Sequence, residues 1–449
     1  MPLLDLLYLG AFVLLSPWLA WRAATTGRYR RGLAGKLLGH IHIPNPTRQS
    51  VAWFHAVSVG EVYLLGTLVP AFRTRHPDWQ VAVTSTTDTG LAEARKRFPD
   101  LPVVEWPFDF SWAVGAALEA VGPSIVILAE SELWPNFLLA ATRRNVPVVV
   151  VNARMSPRSY RRLRWVAALA RKFLFQRVTR FAAQEPEYTD RFRQLGVPAD
   201  RLATTGSIKY DGATGERDTP KTESLRRLLG LHAPHPSVPL PVKSEVPVVL
   251  LAGSTHAPEE SIVLDVFARL RGRFPHLRLI LVPRHPDRFE EVARLVAASG
   301  LPFARRSGIA APLPEMPAVV LLDTVGELGA AWGLADVGFT GGSLDGHRGG
   351  QSMIEPAGYG VPCVFGPHVW NFKDAARRLV EVGGAIMVQD AAALESALTD
   401  LLADSNRRER MGAAAQSLVR RQQGATARTL DVIDAALATK RITQATSGV

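Results

Sequence analysis

Apolar residues along this chain fall into short blocks, separated by glycine-marked turns and by stretches in which apolar positions return every three or four residues. The blocks at 51–55, 80–85, 103–106, 125–129, 146–151 and 180–183 read as buried strands, with helices between them. The helix expected at 62–75 places Leu64, Leu65, Leu68 and Phe72 on one face. After a polar, proline-bearing interval the rhythm resumes, with strands expected at 248–252, 277–282, 318–322, 337–340 and 361–365. Strands apolar on both faces and alternating with helices imply parallel sheets covered on each side, so the fold class is α/β. The expected division is a hydrophobic helix at 1–22, a first α/β domain at 23–211, a linker at 212–245, a second α/β domain at 246–420 and a C-terminal helix and tail at 421–449. The helical tail from about 391 is expected to pack back across the first domain.

Residues 3–21 (LLDLLYLGAFVLLSPWLAW) are apolar except for Asp5 and Ser16. Roughly 20 such residues span a bilayer. Trp18 and Trp21 suit an interface belt, and Arg22, Arg28, Arg30, Arg31 and Lys36 follow. The positive-inside rule then keeps the bulk of the protein cytoplasmic. A membrane anchor, spanning or interfacial, is expected; a helix docked on its own domain is the plain alternative. A cleaved signal peptide fits less well, for want of a basic leader and a small-residue cleavage site. Residues 154–180 interleave Arg154, Arg158, Arg161, Arg162, Arg164, Arg171, Lys172, Arg177 and Arg180 with Tyr160, Trp165, Leu169, Phe173 and Leu174. That pattern is of the membrane-surface kind, although a solvated charged face would look similar.

Composition narrows the partners. The 449 residues, 47% hydrophobic and 21% charged, suffice for two or three domains with real cores. A formal net charge of +11 calls for an acidic partner, and with no RNP, KH or zinc-finger pattern the choice falls on lipid or phosphate, not nucleic acid. The single cysteine, Cys363, excludes an internal disulfide, and no CxxC or HExxH pattern suggests a zinc site.

Candidate chemistry concentrates at strand ends, where ligands of open parallel sheets bind. Residues 336–365 read as strand, glycine-dense loop (341–350), short helix from about Ser352 and a second strand. Glycines admit a close ligand, and a helix N-terminus offers N–H groups to an anion, so a phosphate is expected there. Ser352 and Glu355 equally fit a capping box, which would make Glu355 a helix-stabilising residue. Glu61, Glu130, Glu132, Asn152 and Gln184 also fall at strand ends. Glu61 could simply complement a helix dipole. Glu130 and Glu132, two residues apart, would raise one another's pKa, or else cap the following helix.

The segments FHAVSVGE, ILAESELWPN, NARMSPRSYRR, TGSIKYD, GSTH-x-x-EE, LVPRHPDRF, DTVGEL, FTGGS and GPH-x-x-NF-x-D occur in this order across nearly all of 51–375. Together they resemble the 3-deoxy-D-manno-octulosonic acid (Kdo) transferases of lipopolysaccharide synthesis. The resemblance implies a GT-B glycosyltransferase fold, two Rossmann-like domains around a cleft. It also implies an inverting transferase, without metal or cofactor, that moves Kdo from CMP-Kdo to a lipid A precursor (lipid IVA) at the cytoplasmic face of the inner membrane. By similarity Glu61 is the general base, and Glu130 or Glu132 together with Lys209 stabilises the transition state. The CMP site is implied at Pro283, Arg284, Val325, Gly326, Glu327, Leu328, Gly350, Ser352, Met353, Ile354 and Glu355, with Glu355 on the ribose hydroxyls. The chain departs from the family's GGHNPLE-like run, having GGQSMIE at 349–355, which bears on affinity for the cytidine part. Another GT-B enzyme, such as an epimerase or UDP-sugar transferase, would share the glycine loop and Glu355 but not SVGE and ESELWPN. A non-catalytic membrane-tethered scaffold would have no use for Glu61.

Overall fold

The computed structural model describes residues 2–26, 33–45, 49–213, 215–231 and 247–446. The chain forms two compact units, Met1–Asp211 with Gln423–Val449, and Gly212–Gln422. Arg28, Arg30 and Arg31 of the expected anchor, and 232–245 of the expected linker, lie outside the described residues.

Unit 1 is built on β1 (Val51–Ala56), β2 (Gln80–Ser85), β3 (Val103–Glu105), β4 (Ile125–Ala129), β5 (Val148–Ala153), β6 (Arg180–Ala183) and β7 (Leu202–Thr204). They pair in the order β3-β2-β1-β4-β5-β6-β7, every pairing parallel. Side chains alternate across a strand, so the unbroken apolar blocks feed two cores. Trp53, Val126, Leu128 and Val150 enter one with Phe137. Phe54, Ile125, Ile127, Val149 and Val151 enter the other, against Leu65, Leu68 and Phe72 of the helix Val59–Arg75.

Unit 2 repeats the plan with β8 (Val248–Thr255), β9 (Leu277–Pro283), β10 (Phe303–Arg305), β11 (Val319–Leu321), β12 (Val337–Thr340), β13 (Cys363–Phe365) and β14 (Ala385–Met387). Their order is β10-β11-β9-β8-β12-β13-β14, again parallel throughout. In each sheet the winding reverses beside the first strand, between β1 and β4 and between β8 and β12. Ligands of doubly wound sheets lie at the carboxyl ends of strands flanking such a point.

Several expected boundaries shift for local reasons. β5 begins two residues later than the apolar block, because Asn145 takes a left-handed turn (φ 53) and Pro147 has no N–H to give. The helix Pro220–Leu228 occupies part of the stretch expected as linker and buries Leu225 in unit 2. Of the tail, Ala391–Ala403 and Ser405–Gln422 belong to unit 2, and only Ala425–Thr446 joins unit 1.

The expected membrane anchor, spanning or interfacial, gains no support as a span. Among the described residues no helix is long and apolar enough to cross a membrane. Pro2–Thr26 is a helix whose first turns are tied into unit 1 by polar groups. Asp5, buried, accepts from the Ser111 N–H at 2.9 Å, the Ser111 hydroxyl at 2.6 Å and the Asn136 amide at 2.9 Å. Tyr8 donates to Asp109 at 3.2 Å. Further along, Leu6, Leu7, Val13, Leu14, Leu15, Trp18 and Trp21 stay exposed, Leu14 by 82%.

Candidate active site

In unit 1, β1 runs into Val57 and Ser58, and Glu61 sits in the first turn of the helix Val59–Arg75. Its buried carboxylate accepts from the Val57 N–H at 2.8 Å and the Ser58 hydroxyl at 2.9 Å. Burial pushes its pKa up to about 7, helped by the charges of Glu130 and Glu132 and opposed by the two hydrogen bonds. Glu130 follows β4 directly, in a left-handed conformation (φ 57) that a residue with a side chain rarely adopts. This sharp turn lifts the acidic motif out of the strand line beside Glu61. Ser131 anchors it to the next strand end, its hydroxyl donating to the Arg154 carbonyl at 2.7 Å. Burial, then the Glu130 charge, raises the Glu132 pKa.

Lys209 lies on the short 3-10 turn Ile208–Tyr210, 3.9 Å from the Glu130 carboxylate. Asn152 positions that turn. It is buried and left-handed (φ 53), its side-chain oxygen accepts the Ile208 N–H at 3.3 Å, and its carbonyl accepts from Gln184 at 2.9 Å. Unit 1 therefore brings together all four expected residues, Glu61, Glu130, Glu132 and Lys209, at the reversal between β1 and β4. Glu130 is the carboxylate paired with the lysine, and Glu132 lies beside it. A carboxyl poised near neutrality at the carboxyl end of a central strand, grouped with an acidic pair and a lysine, suits proton abstraction from a hydroxyl.

In unit 2, Pro283 ends β9 and the exposed Arg284 follows, its N–H donating to the Thr255 carbonyl at 3.0 Å. Glu355 lies in the first turn of the helix Ile354–Gly358; desolvation raises its pKa and the Arg284 charge opposes that. The capping-box reading is corrected: Met353, not Ser352, caps this helix, and no side chain caps it. Met353 and Ile354 are core residues, whereas Ser352 is half-buried. Val325 (79% exposed) and Gly326 (φ 92) form an open turn before the helix Leu328–Trp332. Glu327 is held by Arg306 at 2.8 Å and by the Thr324 hydroxyl.

The glycine-dense loop differs from expectation. Its N–H groups at Gly342, Ser343 and Leu344 point to the side chain of Glu259, and those of Gly350 and Gln351 to the carbonyls of Gly342 and Gly341. These five N–H groups are engaged within the protein. Glu259 stands in the sequence as part of the GSTH-x-x-EE segment without an assigned role, and Asn152 as a polar strand end. Both act through partners far away in sequence. Among the described residues no group of three or more His, Cys, Asp or Glu side chains is placed to hold a metal ion.

Two doubly wound parallel sheets, each with charged side chains at its reversal point, define the class: a two-domain α/β protein of the GT-B glycosyltransferase type. The fold resembles that of MurG from Acinetobacter baumannii, with a TM-score of 0.52 and 14% identity over 86% of this chain and 99% of that one. The sequence profile of the 3-deoxy-D-manno-octulosonic-acid transferase (kdotransferase) family matches residues 30–212. Similarity extends to the 3-deoxy-D-manno-octulosonic acid transferase of Haemophilus influenzae, 35% identical over 90% of this chain and 91% of that one. The enzyme of the same name from Bordetella pertussis is 37% identical over 85% and 86%. The chain belongs to this Kdo transferase family, and is thus a glycosyltransferase.

Proposed function

We propose that the enzyme transfers Kdo from CMP-Kdo to a lipid A precursor, lipid IVA, by direct displacement with inversion, with Glu61 as general base. The acceptor hydroxyl oxygen bonds to the anomeric carbon of Kdo as the bond to the CMP phosphate oxygen breaks. The hydroxyl proton passes to the Glu61 carboxylate. Lys209, kept near Glu130, offsets the negative charge that develops on the departing phosphate. Unit 2 holds CMP through Pro283 and Arg284, the Val325–Leu328 turn, Gly350 and Ser352 to Glu355, with Glu355 on the ribose hydroxyls. Cations of the chain serve where a metal otherwise might, so the reaction needs neither metal nor cofactor.

The acceptor is an acylated, phosphorylated disaccharide, which supports placing the enzyme on the cytoplasmic face of the inner membrane. The exposed leucines and tryptophans of Pro2–Thr26 would lie in the interface in place of crossing it. The helix Pro157–Trp165 exposes Arg158, Arg161 and Arg162 to anionic headgroups, and Trp165 is 90% exposed.

The observation that carries this reading is Glu61 itself, a buried carboxylate with a pKa near 7 grouped with Glu130, Glu132 and Lys209. Freshly made CMP-Kdo and lipid IVA are incubated with the enzyme and products read by mass. Addition of Kdo is expected, and its loss in Glu61→Gln, by about 10²–10⁴-fold. A Glu61→Gln enzyme that transfers at the wild-type rate would remove the base from this scheme.

A further inference from the structure

One buried carboxylate of unit 2 has no part in the scheme above. Glu259 opens the helix Glu259–Arg273 and has no exposed surface. Its Oε2 accepts from the N–H of His256 at 3.1 Å and of Gly342 at 2.6 Å. Its Oε1 accepts from the N–H of Ser343 at 2.9 Å and of Leu344 at 3.1 Å. With two donors facing each oxygen, a protonated carboxyl would set an O–H against an N–H, so the seat favours the carboxylate. Burial raises its pKa, and the four N–H bonds oppose that without reversing it.

Three successive N–H groups converging from one turn, with Gly342 left-handed (φ 66), make a nest of the kind that binds phosphate or carboxylate ligands. Here the chain supplies the anion. The fit is tight: a Cβ on Gly341 would come within 2.6 Å of the Ser254 carbonyl and of Thr255 Cα, and within 2.8 Å of the Glu259 carboxylate.

Around this seat three strand-end loops are joined. The carbonyls of Gly341 and Gly342 accept from Gln351 at 3.0 Å and Gly350 at 2.7 Å, which leads straight to Glu355. On the other side the Thr255 carbonyl accepts from Arg284 at 3.0 Å. The neighbouring Glu260 holds Arg288, on the loop after Arg284, at 2.7 Å.

We infer that Glu259 is a positioning residue for the donor: a built-in anion whose seat in the Gly342–Leu344 nest fixes the loops that carry Arg284 and Glu355. The inference rests on the reading of unit 2 as the donor-binding half. Removing the charge leaves four buried N–H donors facing one another, and the loops must open to reach water. The sugar nucleotide then meets misplaced partners, whereas the base on unit 1 is untouched.

The test uses the full-length enzyme at a temperature well below its unfolding. In Glu259→Gln the KM for CMP-Kdo is expected to rise about tenfold or more, with the acceptor KM unchanged. In Glu259→Ala, sodium formate should return the CMP-Kdo KM toward the wild-type value, and sodium chloride at equal ionic strength should not. A merely structural residue would lower the melting temperature without moving the donor KM or responding to formate. A folded Glu259→Gln enzyme with the wild-type donor KM, or a Glu259→Ala enzyme indifferent to formate, overturns the proposal. If Glu259→Ala does not fold, Glu259→Gln and Glu259→Asp carry the KM comparison. Should the wild-type enzyme neither bind CMP nor use CMP-Kdo, the donor reading fails; a formate-dependent rise in the Glu259→Ala melting temperature still decides whether the nest needs an anion.

Discussion

At the scale of single residues, Glu61 ties structure to a measurable pH profile. A general base must be ionised, and the folded-state pKa is raised from 4.5 to about 7. The rate of Kdo transfer under subsaturating substrate is therefore expected to climb between pH 6 and pH 8, with its midpoint near 7. In Glu61→Gln the residual rate should lose that climb. An unchanged profile would mean that the rise belongs to another group. The same shift acts on stability with the opposite sense. Because the folded state holds this proton more tightly, the contribution is full below about 4.5 and is lost as pH rises through about 7. The SVGE segment made Glu61 visible in the sequence, yet a carboxylate at a helix start has the same pattern whether it answers a dipole or a proton. What separates the two is its company, and Glu130 and Glu132 arrive from another strand. Glu259 shows the limit more sharply. Three of its four N–H partners lie 83 to 85 residues away along the chain, so the GSTH-x-x-EE segment marks the residue without showing what it holds.

Elements were more legible than residues, because the strands are apolar on both faces and the helices between them are not. The boundaries moved where backbone chemistry intervened, at Pro147 and at Pro362 before β13. The glycine loop was found but its use was not, since glycine density reports close approach without saying what approaches. The N-terminal helix is tied to unit 1 through Asp5, which Ser111 and Asn136 satisfy, a link between distant segments that an apolar run does not reveal. For the helix Pro157–Trp165 a prediction belongs at this scale. Its Tyr160 and Leu163 pack against the core while Arg158, Arg161 and Arg162 are exposed, so replacing the three arginines together by serine should change stability little, about 0.5 kcal/mol or less per site. The KM for a micellar or vesicle-borne acceptor is expected to rise, while the KM for CMP-Kdo stays constant. Equal loss of both in a folded variant would count against a role at the lipid surface.

For the whole molecule, two parallel-sheet units and a returning helical tail were legible in the chain, but not the point at which it returns. The chain leaves unit 1 after Asp211 and comes back at Gln423. Asp211 marks the exit and caps the return, its carboxylate accepting the N–H of Gly424 at 2.7 Å and that of Thr426. The helix Ala425–Thr446 then lies on the face of unit 1 that includes the Glu61 helix. Leu430 and Ile433 enter the same core as Phe54 and Leu65, and Arg75 pairs with Asp431 at 2.8 Å and Asp434 at 3.0 Å. The expected packing of the helical tail across the first domain holds for Ala425–Thr446 but not for Ala391–Ala403 and Ser405–Gln422, since an apolar stripe does not say which sheet it covers. Truncating both buried side chains tests the assignment. Each large-to-alanine change in a packed core costs about 2–5 kcal/mol, and a domain has only about 5–15 kcal/mol in hand. Leu430→Ala with Ile433→Ala should therefore lower the unfolding temperature of unit 1 steeply, as followed by the fluorescence of Trp53 and Trp106. Trp332 in the core of unit 2 should respond far less, which a Trp332→Phe background separates. A double variant in which unit 1 melts as before, while unit 2 loosens, would place the last helix with the wrong half of the chain.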